Sequence, residues 1–113
     1  MEIRIILSFR LEDEINRIFK KQSIDILERI YSLKENPKQG KKVGKIGSLV
    51  IKELKFETFR FYFIVDGFKL KLIGKEDLKE LVIRFVRMSK KNNQSKVIQE
   101  IRDILLKIGI EGF

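Results

Sequence analysis

The 113-residue sequence predicts an α+β domain of order β-α-α-β-β-β-(β)-α, with two N-terminal helices and a C-terminal helix packed on one face of a mainly antiparallel twisted sheet. Three observations predict it. The opening stretch alternates with period two, three later segments repeat apolar residues at helical spacing, and between them lie runs rich in β-branched and aromatic residues with short connections. No linker, repeat or low-complexity tract interrupts the chain, so residues 1–113 read as one domain.

Ile3, Ile5, Leu7 and Phe9 alternate with Glu2, Arg4, Ile6 and Ser8, which predicts a strand with one strongly buried face. Leu11, Ile15, Ile18 and Phe19 then recur at helical spacing behind Glu12, Asp13 and Glu14, acids that suit the positive end of a helix. A second helix carries Ile24, Leu27 and Tyr31 on one side and Ile26, Ile30 and Leu33 beside them, with Ser23 as N-cap and Tyr31 assigned to the core. Asn36-Pro37 ends it. Residues 37–48 contain three glycines, four lysines and no acid, the composition of an exposed basic loop.

Strand signals follow. Leu49 to Phe56 and Thr58 to Val65 are predicted strands, Asp66-Gly67 a hairpin turn, and Phe68 to Ile73 a further alternating strand. A polar turn at Gly74-Lys75-Glu76-Asp77 leads to a strand at about Leu81 to Met88, and the sheet is expected to be antiparallel through this region because the connections are too short for crossovers. The last helix shows Val97, Ile101, Ile104, Leu105 and Ile108 on one face, with Asn92 or Asn93 to cap it and Gly109 to stop it.

Composition narrows the chemistry. The chain has no cysteine and no histidine, which excludes disulfides, thiolate metal sites, Cys or Ser–His nucleophile systems and imidazole acid–base catalysis. The longest apolar run, Phe61 to Val65, is far too short for a membrane span, and the charged N-terminus is unlike a signal peptide, so a cytoplasmic protein without membrane contact is expected. Lys and Arg number 25 against 16 Asp and Glu, a net +9 on a chain that is 43% hydrophobic. That combination describes a folded domain with a cationic surface.

The surplus is concentrated. Residues 81–99 hold Arg84, Arg87, Lys90, Lys91 and Lys96 with no acid, and residues 37–48 add Lys38, Lys41, Lys42 and Lys45. Together with Lys52, Lys55 and Arg60 on the intervening strands they make a footprint suited to a polyanion, against the alternative of an ordinary solvated lysine surface. Strand parity turns Phe59, Phe61, Phe63 and Val65 to the helices, and so turns Arg60 and an exposed Tyr62 to an open face shared with Glu53 and Lys55. A cross-strand ion pair of Glu53 with Arg60 or Lys55 is the structural alternative. Arg84 and Arg87 have opposite parity, so one of them belongs to that face unless a bulge intervenes.

The segments Asn36-Pro37, Gly40-Lys41-Lys42-Val43-Gly44-Lys45-Ile46-Gly47, Ile51-Lys52-Glu53-Leu54-Lys55 and Phe59-Arg60-Phe61-Tyr62-Phe63 resemble the RelE/ParE toxin superfamily, particularly its HigB-like branch. Phe85-Val86-Arg87-Met88-Ser89-Lys90-Lys91 before a final helix is similar to that domain's closing segment. Phe68 to Glu80 stands as an insertion, and it admits a second alignment with Phe68 to Lys75 as the closing strand. The C-terminal His or Tyr of many members is missing in either case.

The resemblance implies the toxin of a type II toxin–antitoxin pair, an endoribonuclease that cleaves messenger RNA on the ribosome. In that chemistry the RNA's own 2′-OH attacks the adjacent phosphate and no metal or other cofactor is needed. It further implies Arg60 as the phosphate-stabilising arginine, Lys55 and Arg87 as supporting cations, Glu53 as base, and Tyr62 or a lysine such as Lys90 as acid. Lys41, Lys42, Lys45, Lys52, Lys90 and Lys91 would contact RNA, and a cognate antitoxin would be the protein partner. The competing readings are a non-catalytic ParE-like toxin with a protein target and a basic RNA- or DNA-binding module.

Overall fold

Alternation over the first residues produces strand β1 (Glu2–Leu7), and it stops at Ser8 because that side chain accepts the Leu11 N–H and caps helix α1 (Phe9–Phe19). The computed structural model describes residues 1–75 and 78–113. Capping at Ser8 moves Phe9 from the expected strand to the first helical position, where it is 87% exposed. A 3-10 turn leads to helix α2 (Ser23–Tyr31), where Gln22 rather than Ser23 is the cap residue. The buried stripe of α2 runs through Ile26 and Ile30 and on to Leu33. Tyr31 is therefore rotated out of the core, 43% exposed beneath the Lys34 ammonium, contrary to its expected place.

The predicted basic loop is in part a strand. Lys41–Ile46 forms β2, an edge strand paired antiparallel with β3 (Leu49–Phe56) through a bulge at Val43. Lysines suit such an edge because charge discourages further strand pairing. The tight hairpin turn is Gly47-Ser48, with Gly47 at φ +58°. Asp66-Gly67 makes no hairpin. Strand β4 (Phe59–Asp66) ends where the Asp66 carboxylate accepts the Phe68 and Lys69 N–H groups and caps a short helix α3 (Gly67–Lys71). The expected strand over Phe68 to Ile73 is thus helix and turn, because Leu70 and Ile73, three residues apart, both pack on the core while Phe68 stands in solvent. This helix also removes the alternative in which Phe68 to Lys75 closes the sheet. The turn expected at 74–77 lies partly outside the described residues.

Strand β5 (Glu80–Lys90) runs antiparallel to β4 and parallel to β1, giving the order β1-β5-β4-β3-β2. Helix α4 (Gln94–Lys107) follows, and Gly109 at φ +94° returns its N–H to the Ile104 carbonyl. The α+β class and the mainly antiparallel sheet agree with the sequence reading. The helices, however, cover both faces. Helices α1 and α2 pack Leu11, Ile15, Ile26 and Ile30 against Leu54, Phe61, Phe63 and Phe85, while α4 packs Ile101 and Leu105 against Ile51, Tyr62, Ile64 and Val86. Strands apolar at both parities need two covers. Among the described residues no helix is long and apolar enough to cross a membrane.

Candidate functional site

Register brings the predicted site residues together. Glu53 lies opposite Tyr62 and Tyr62 opposite Arg87, while Lys55 lies opposite Arg60 and Arg60 opposite Ser89. Directly opposed residues share a face, so these six form two adjacent rows on the α4 side of the sheet. Lys41 extends the first row from the edge, opposite Glu53. Arg87 belongs to this set through a bulge in β5. The pairing steps from Tyr62 with Arg87 to Phe63 with Phe85, leaving Val86 unpaired. Val86 and Arg87 then both turn to α4, and so does Arg84, opposite Ile64. The bulge admits both arginines to one face.

That face is covered where it was expected to be open. Glu53 is 3% exposed, Arg60 7%, Arg87 8% and Tyr62 0%, and α4 lies over Glu53, Tyr62 and Arg87. Gln94, at the first position of α4, donates its side-chain N–H to the Glu53 carboxylate at 2.5 Å. One turn and a half further along, Glu100 accepts from Arg87 Nε at 2.8 Å, and the guanidinium also lies 5.1 Å from the Phe113 ring centre. Arg60 donates to its neighbouring Phe59 carbonyl. Among the described residues Glu53 forms no ion pair with Arg60 or Lys55, so Gln94 occupies the place considered for a cross-strand bridge.

Tyr62 is the group most altered by this setting. Burial pushes its phenol above the usual value of 10.0, the negative charge of Glu53 adds to the rise, and the 2.8 Å bond to Ser89 and the nearby Arg60 oppose it. The phenol stays protonated at neutral pH, so in a proton transfer it is an acid and not a base. Around the covered groups the surface is cationic, with Lys41 and Lys55 exposed on the strands and Lys90 and Lys91 exposed where β5 leads to α4.

The other predicted contacts lie elsewhere. Lys42 is opposite Lys52, and Lys45 opposite Val50, which places all three lysines on the opposite face of the sheet. Lys52 is only 6% exposed, and burial holds its ammonium below the usual lysine value of 10.5. Sequence reasoning missed Ser89, Gln94 and Glu100. Parity across β4 and β5 could have found Ser89, whereas Gln94 and Glu100 depend on where α4 docks.

No protein-family model matches the chain, and no curated protein matches it in sequence. Among solved structures it is similar to a chain in the crystal structure of the archaeal RelE–RelB complex from Pyrococcus horikoshii OT3. The TM-score is 0.59 and the identity 17%, over 80% of this chain and 97% of that one. What the two share is the fold.

Proposed function

We propose that this protein is the toxin of a type II toxin–antitoxin pair, and that it cleaves messenger RNA on the ribosome by metal-independent attack of the RNA's 2′-OH. The observation that carries the reading is the pair of cross-strand rows Glu53–Tyr62–Arg87 and Lys55–Arg60–Ser89, which collects a carboxylate, three cations and a protonated phenol on one face. The RelE-like fold supports it. The HigB-like affinity rests on the sequence resemblance of the segments from Asn36-Pro37 to Phe59–Phe63.

In this mechanism Glu53 takes the proton of the 2′-OH, Arg60 and Arg87 oppose the charge that develops on the phosphorane, and Tyr62 or Lys90 supplies a proton to the departing 5′ oxygen. Lys55 and the exposed Lys41, Lys90 and Lys91 hold the strand by its phosphates. For a 2′-OH to reach Glu53 it must displace Gln94, so the first turn of α4 shifts when RNA binds. A cognate antitoxin is the proposed protein partner, seated on the same cationic rim.

Expression followed by mapping of mRNA ends on translating ribosomes tests the reading. Cuts in translated frames and slowed growth are expected. Arg60→Ala should reduce cleavage by about a hundred- to a thousand-fold, the usual loss for one transition-state charge partner. Because Arg60 is buried, the variant should also lose stability by about 1–2 kcal/mol, which a thermal melt separates from the kinetic effect.

The burial of Glu53, Arg60, Tyr62 and Arg87 favours a second reading, a non-catalytic ParE-like toxin or a basic RNA- or DNA-binding module. Growth arrest with intact messages would select the former, and salt-sensitive nucleic-acid binding without arrest the latter.

A further inference from the structure

On the face opposite the proposed catalytic rows, the hairpin of β2 and β3 and helix α3 enclose a cavity of about 380 Å³. Lys42, Lys45, Lys52 and Lys71 line it, and there is no acid among the described residues that do. Asp66, next to α3, spends its carboxylate on the backbone N–H groups of Phe68 and Lys69. The floor is apolar, formed by Val50 and Leu70, and Phe68 stands at the wall with 74% of its surface exposed.

Lys52 is the informative member. The residue is 6% exposed, and among the described residues its ammonium has one hydrogen-bond acceptor, the Lys38 carbonyl at 2.8 Å, with the Phe63 ring 5.9 Å away. Among the described residues no carboxylate pairs with it. An ammonium has three N–H donors, and a buried charge without a counter-charge is costly. An anion in the cavity would complete both the hydrogen bonding and the charge balance of Lys52, with Lys42, Lys45 and Lys71 lining the same cavity to meet a second phosphate. An exposed aromatic ring beside such a cluster is the partner a nucleobase stacks on. The volume suits a ligand of that size.

We propose that this cavity is a nucleotide site, holding phosphate on Lys52 and its neighbouring lysines and a base against Phe68. It is separate from the catalytic rows and stands whether or not they cleave RNA. The nucleotide can be free or a unit of a strand, since both present the same phosphate and base.

Calorimetric titration of the full chain with ADP, inorganic pyrophosphate and a single-stranded RNA hexamer tests it. Saturable binding of one ADP, or of one hexamer beyond any held on the opposite face, is expected, ADP marking a free nucleotide and the hexamer alone a strand. Lys52→Met and Lys71→Ala should each weaken it about tenfold, and Lys107→Ala, which removes an equal charge outside the cavity, by less than twofold. Phe68→Ala should weaken ADP or hexamer about tenfold and leave pyrophosphate unchanged. Lys71 and Phe68 are exposed, so these two variants test the site without any change in packing at buried Lys52. No saturable binding of either nucleotide probe, or an equal loss in Lys107→Ala, overturns the proposal.

Discussion

Lys52 and Tyr62 carry opposite signatures of the same physics, since burial disfavours the charged form of each. The Lys52 ammonium gives up its proton below 10.5 when folded and at 10.5 when unfolded. Between those values the unfolded chain binds more protons, so stability rises with pH across that window. Lys52→Met should therefore be more stable than the parent at pH 7, on the order of 1 kcal/mol, with the advantage shrinking as pH approaches 10.5. Urea melts of both chains across that range check the sign. Tyr62 behaves inversely. Its folded pKa lies above 10.0, so the native state binds more protons above that value and stability falls as pH rises through the raised pKa. Tyr62→Phe should lose about 1 kcal/mol at neutral pH, for the missing Ser89 bond, and should be spared the alkaline decline.

At the scale of elements, local backbone chemistry decides where strands stop and helices begin. Gly40, at φ +102° before β2, sits where a Cβ would come within 2.8 Å of the Phe63 ring. Gly40→Ala is expected to cost about 2–3 kcal/mol, from the left-handed backbone and the clash together, and a denaturation midpoint measures it. Asp66→Ala should remove the cap of α3 for about 1 kcal/mol and should report on the cavity wall that this helix carries. The docking of α4 is a tertiary counterpart. Glu100→Gln replaces the ion pair with Arg87 by a bond from the same guanidinium to a neutral amide oxygen, and a loss of about 1 kcal/mol with a more accessible Arg87 is expected.

At the scale of the molecule, lysines gather in two places, a rim around the cross-strand rows and a cavity on the other face. Counterion release gives single-stranded RNA binding a log–log salt slope near −0.7 per neutralised phosphate, so four to six contacts correspond to about −3 to −4. Neutralising exposed Lys90 or Lys91 should flatten the slope by about 0.7 and weaken all RNA sequences alike. Lys52, buried on the far face, should leave the slope of RNA bound at the Glu53–Tyr62–Arg87 face unchanged. A slope near zero would mark the surplus charge as ordinary solvation.

Much of this was legible in sequence. Periodicity found β1, α1, α2, β3, β4, β5 and α4, because each buries a stripe whose spacing is set by its own geometry. Parity placed Glu53, Arg60 and Tyr62 on one face, because successive strand side chains point to opposite sides whatever the partner. Composition excluded imidazole and thiol chemistry outright. Other features needed the fold. The lysine-rich segment becomes β2 through pairing with β3, and Phe68 to Ile73 becomes helix because the Asp66 cap and the core contacts of Leu70 and Ile73 outweigh its alternation. The bulge at Val86 joins Arg84 and Arg87, and α4 closes over Tyr62 and Arg87. Spacing along the chain records which side of an element is apolar, whereas burial of a charge depends on what a distant segment lays over it, and only the packed molecule contains that distance.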